Sequence, residues 1–110
     1  MTTLGEIQKD YSIYIGGFEV LPKKGSQFEK TGAKGAFLYC FCKSENLEEA
    51  ERKMNKALSE DCYRIKEKEF VTLYNSQEFD ESDQIMLNKL SDQASSCDDV
   101  IYSDFYTYDE

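Results

Sequence analysis

The residues whose types suit chemistry are four cysteines, Cys40, Cys42, Cys62 and Cys97, and a dense set of carboxylates toward the C-terminus. Four thiolates suggest zinc, but structural zinc sites use C-x₂₋₄-C knuckles. Cys40-x-Cys42 instead puts two thiols at i and i+2 on one strand face, poorly placed to share an ion or to bridge each other. All four are read as reduced thiols packed as small apolar residues. The acidic run Asp80-Glu81-Ser82-Asp83 lacks the glycine and terminal glutamate of a calcium loop. Histidine is absent, which removes the commonest general acid–base group and any Ser–His or Cys–His nucleophile pair. Gly25, Gly32 and Gly35 match neither phosphate-loop spacing. Carboxylate pairs such as Asp98-Asp99 read as solvated faces. No catalytic residue, metal or cofactor is expected, and the chain reads as a binding protein rather than an enzyme.

Charge is distributed unevenly. Residues 1–74 hold 12 acidic and 12 basic side chains, whereas residues 75–110 hold 10 acidic ones against Lys89 alone, so the whole net charge of -9 sits in the last third. Such a surface repels phosphate backbones and anionic lipid headgroups. Nucleic acid and membrane are therefore excluded as partners, and a protein with a basic surface is favoured. No apolar run approaches bilayer length, and no basic–apolar–small leader is read at the N-terminus. Together with reduced thiols, this points to the cytoplasm.

The chain of 110 residues has the size of one domain, read as 1–110. Residues 11–20 alternate with the period of a strand, with Gly16-Gly17 marking a bend or bulge. Residues 22–35, with Pro22, three glycines and four lysines, form a long Gly/Lys loop. The run 36–42 is apolar on both faces, as a central strand covered on both sides would be. A helix at 46–60 carries Leu47, Ala50, Met54, Ala57 and Leu58 at helical spacing, with Asn46 and Glu49 as a capping box and Glu48–Arg52 and Glu49–Lys53 as i,i+4 pairs. A strand at 63–74 and an acidic loop lead to a second helix over 81–95, with Met86, Leu90 and Ala94 inward and Ile85 and Leu87 broadening that face. A last strand covers 100–108. The order β-β-α-β-α-β predicts an α+β fold: a single antiparallel or mixed four-stranded sheet with two helices on one face, a ferredoxin-like variant.

Aromatics make up 14% of the chain, and Phe37, Tyr39, Phe41, Phe70, Tyr74, Tyr102, Phe105, Tyr106 and Tyr108 could share one sheet face. Sheets that stack RNA bases carry lysine and arginine beside such rings, whereas the last strand here carries Asp104 and Asp109. Core packing accounts for most of these rings and a protein interface for the rest.

In size, charge and coarse element order the chain resembles small acidic immunity proteins that bacteria make against their own toxins, and is similar to phage-encoded inhibitors of host defence. The resemblance implies an acidic inhibitor that occludes a basic partner surface. The candidate strip is Glu78, Asp80, Glu81, Asp83, Asp98, Asp99 and Asp104, which would steer the encounter, with Tyr74, Tyr102 and Tyr106 supplying buried contact. The alternative is a small regulatory domain binding a metabolite, as a sheet-mediated homodimer.

Overall fold

The computed structural model describes residues 11–25 and 32–109. Strands β1 (Ser12–Pro22) and β2 (Gly35–Ser44) form an antiparallel hairpin, with Ser12 opposite Ser44 and Val20 opposite Ala36. The middle of the expected Gly/Lys loop, residues 26–31, lies outside the described residues. Helix α1 (Leu47–Glu60) follows, then β3 (Tyr63–Leu73), a 3₁₀ turn at Ser76–Glu78, helix α2 (Glu81–Ser95), β4 (Ile101–Tyr102) and β5 (Tyr106–Tyr108). β3 pairs antiparallel with β1, so the sheet runs β3-β1-β2-β4, and β5 also pairs with β2. β2 and β3 are therefore parallel, with β1 between them, and α1 makes the crossover.

The fold class is α+β, as expected, with an antiparallel sheet and two helices compatible with a ferredoxin-like arrangement. Two details differ from the expectation. The last strand is two short pieces, which gives five strands instead of four. At the break, Ser103 N–H donates to the Tyr39 carbonyl at 2.9 Å, and Ser103 Oγ accepts from Tyr39 N–H at 2.8 Å. A buried hydroxyl thus completes the ladder where a strand backbone would.

The helices also take opposite faces instead of one. Ala50, Met54 and Leu58 of α1 are fully buried with Leu38, Cys40 and Cys42 of β2 and with Phe18 and Val20 of β1. Leu87 and Ala94 of α2 pack with Phe41 and Ile15 on the other side. The cause lies in β2, whose two alternating sets of side chains are both apolar and need cover on both sides. α1 is the better amphipath: Asn46 Oδ1 caps Glu49 N–H at 2.8 Å, and Glu49 pairs with Lys53 at 3.7 Å. α2 buries less. Met86 and Leu90 are half-buried, and Ile85, expected inward, is 81% exposed.

Candidate functional site

Fifteen residues of α2 are too few to cover the sheet. The helix seals the end of its face around Ile15, Phe41, Phe70 and Tyr74 and leaves the other end open. There, Glu19 of β1 faces Phe37 of β2, and Phe37 faces Tyr106 of β5. Two depressions lie on this open half. One, of about 290 Å³, is lined by Gly17, Phe37, Leu38, Tyr39, Glu69 and Tyr106. The other, a broader trough of about 510 Å³, begins on the far side of Phe37 and is lined by Glu19, Phe37, Thr107, Tyr108 and Asp109. Phe37 is 39% exposed and Tyr106 50%, and no helix among the described residues covers these two large rings.

Bulges aim the charged groups. The β1–β3 register shifts between Gly17 and Phe18 and again between Glu19 and Val20, which leaves Glu69 and Lys66 as extra residues of β3. Strict alternation would point Glu69, next to the α2-facing Phe70, toward α1. The extra residue lets it line the smaller depression instead, because a bulge re-aims the side chain it carries. Lys66 reaches Glu19 in the same way, Nζ to Oε2 at 3.2 Å. Glycines make room beside them. A Cβ on Gly17 would stand within 3.1 Å of Cδ1 and Cζ of Phe70, its cross-strand partner. A Cβ on Gly35 would stand 2.6 Å from Cζ of Tyr108, so the phenol crosses β2 only because no side chain is there. That phenol donates to Glu19 Oε2 and packs against Phe37 at 5.6 Å between centroids.

Electrostatically the open half is acidic. The Tyr108 hydrogen bond, then Lys66, hold the Glu19 carboxyl below its usual range in spite of its burial. The same contact raises the Tyr108 phenol. Burial raises the Tyr39 phenol, and the neighbouring Asp83, Tyr106 and Glu69 raise it further. Negative charge is thus felt at the ring that forms one wall of the smaller depression. Among the described residues, neither depression has a lysine or arginine in its lining.

The sequence candidates disperse over three places. Glu78, Asp80, Glu81 and Asp83 surround the start of α2, where carboxylates suit the helix dipole, and Asp83 acts on Tyr39. Asp98 and Asp99 lie past the other end of α2, Asp98 pairing with Lys43 at 3.6 Å. Asp104 sits between β4 and β5. Of the tyrosines, Tyr106 borders the open half. Tyr74 is held under α2, its hydroxyl donating to Asn88 Oδ1 at 2.6 Å and its ring 5.5 Å from Phe41. Tyr102 and Phe105 join the α1 side, where the Tyr102 hydroxyl donates to Asp61 Oδ2 at 2.7 Å. The nine aromatics therefore do not share one face. Gly17, Glu19 and Glu69 were not among the candidates. Gly16-Gly17 was their one sequence signal, since the register shifts begin beside it.

Cys40 and Cys42 are buried thiols. Burial pushes Cys40 far above the usual thiol range and Cys42 up to about 11, so neither is a ready nucleophile. Among the described residues no group of three or more Cys, Asp or Glu is placed to hold a metal ion, and no helix is long and apolar enough to cross a membrane. No protein-family model, curated protein or solved structure matches the chain.

Proposed function

We propose that the protein is a non-catalytic binding module whose open half-sheet docks on a basic protein surface and occludes it, in the manner of an inhibitor or immunity protein. The observation that carries this reading is the exposed pair Phe37 and Tyr106 beside Glu19, Glu69 and Asp83, on a face that α2 leaves uncovered. Exposed rings supply contact area, and surrounding carboxylates select a partner of opposite sign. The wider acidic charge of residues 75–110 raises the rate of encounter. The like charge of the face counts against a homodimer formed through it, since two copies would bring Glu69 against carboxylates.

The test is affinity capture from native cells at low and high salt, with wild-type bait beside bait carrying Phe37→Ala and Tyr106→Ala. One basic protein retained by the wild type, released by salt and missed by the double variant supports the reading. Equal capture by both baits, or capture indifferent to salt, refutes it. The metabolite alternative draws on the 510 Å³ trough, which lies within the usual range of ligand sites, about 300–1,000 Å³. A rise in melting temperature with one compound of a metabolite panel would favour it.

A further inference from the structure

We propose that the depression between Phe37, Tyr39, Tyr106 and Glu69 is an arginine pocket, which receives one guanidinium group of the protein partner. The inference rests on the reading above and names the group that anchors that partner.

Three rings and a carboxylate line a single depression. Ring faces carry negative quadrupole density, and a carboxylate beside them adds a full charge, so the occupant of lowest energy is a cation. Size limits it further. About 290 Å³ lies at the floor of the range for small-molecule sites, which suits one long side chain. Between the two cationic side chains, arginine fits better. Its planar group can lie on a tyrosine or phenylalanine face while its fork engages a carboxylate, whereas an ammonium is a compact and strongly hydrated charge.

The same chain builds this arrangement once with a cation of its own. Lys43 Nζ lies 5.6 Å from the centroid of the Tyr11 ring and 3.6 Å from Asp98. Lys66 likewise serves Glu19, and Lys68 serves Glu51 at 2.7 Å. Glu69 has no ion-pair partner among the described residues, although Lys66 and Lys68 are close to it in sequence. Both lysines are engaged elsewhere, Lys66 by Glu19 and Lys68 by Glu51 of α1.

The floor is preorganised. Gly17 lines the depression and lets the Phe70 ring rest against its backbone, and Ser103 ties both backbone hydrogen-bonding groups of Tyr39. Tyr39 in turn meets Phe70 at 6.2 Å and Phe79 at 6.1 Å, which fixes its ring from behind. An incoming side chain meets walls already in place, so less ordering entropy is lost on binding.

The experiment is a two-dimensional NMR titration of isotope-labelled protein with an end-blocked pentapeptide holding one arginine among glycines and serines. Parallel titrations use the same peptide with citrulline, its neutral near-isostere, and with lysine. Expected is a saturating shift at Gly17, Leu38, Tyr39 and Glu69, several-fold weaker with citrulline and with lysine. Tyr106→Ala should weaken arginine binding about two- to fivefold, the range of an exposed cation–π contact, and Glu69→Gln should weaken it by a similar factor. Both positions are exposed, so spectra away from the face should not change. Citrulline or lysine binding as tightly as arginine overturns the proposal, as do shifts confined to other surfaces. If the arginine peptide leaves the pocket untouched while a captured basic protein still shifts the face, this inference fails and the wider reading stands. If neither touches the face, both fail.

Discussion

Replacing Gly17 by alanine should destabilise the protein, and the same replacement should stabilise it once Phe70 is removed. An added Cβ would stand 3.0 Å from Phe70 Cδ1 and 3.1 Å from Cζ, against a comfortable carbon–carbon contact of about 3.5–4.0 Å. The ring has little freedom to retreat, because Tyr39 packs on it and its strand is paired to Gly17 itself. Overpacking of this kind costs about 1–3 kcal/mol. Alanine meanwhile recovers about 0.5–1 kcal/mol that glycine loses in backbone entropy. The net loss in the wild-type background is therefore at most about 2.5 kcal/mol and centred near 1. In a Phe70→Ala background the clash is gone and the entropy term remains, a gain of about 0.5–1 kcal/mol. The four proteins of this cycle are to be compared by urea unfolding followed by circular dichroism, with equal m-values as the check on two-state behaviour. Additivity within about 0.5 kcal/mol would mean that Phe70 does not rest on Gly17. The account of how the pocket floor is held would then be wrong.

Cys62 occupies the left-handed region at φ 70° just past the end of α1, at a cost of about 1–2 kcal/mol for a residue with a Cβ. Cys62→Gly should raise the melting temperature by several degrees and Cys62→Ala should not, as read by calorimetry. Met54 is fully buried beneath the sheet, so Met54→Ala should cost about 2–5 kcal/mol in chemical denaturation. The Glu19 carboxyl is held below its ordinary value of 4.5. Its contribution to stability is therefore complete above that value and fades as pH falls through the lower folded-state value. In an acid melting series, Glu19→Gln should remove that part of the decline, and a slope identical to wild type would disprove the coupling.

The elements were legible because their signals are local. Asn46 and Glu49 mark the start of α1, and Ala50, Met54 and Leu58 give its buried stripe. The run from Ala36 to Cys42 shows a strand apolar on both sides, and that pattern already implied two covering layers. Placing both helices on one face drew on the ferredoxin-like pattern and neglected it. The site was harder to read because it depends on register. Glu69 looks like one of several charges alternating along β3, and only the two bulges opposite β1 bring it onto the aromatic face. The acidic candidates were grouped by closeness in sequence, yet α2 holds Asp83 and Asp98 at opposite ends of a helix about 22 Å long by its rise per residue. Tyr102 and Tyr106 are four residues apart, but the break at Ser103 sends them to opposite sides of the sheet.

The two-sided character of β2 separates two kinds of selection along one strand. Leu38 and Cys40 answer to the packing of α1, whereas Phe37, beside Leu38 in sequence, stands partly exposed on the open half. A lineage changing its partner could rewrite alternate letters of this strand and leave the intervening letters, with the stability they carry, as they were. In an arms race between a binder and a target that escapes by mutation, such a strand evolves quickly on one side and slowly on the other.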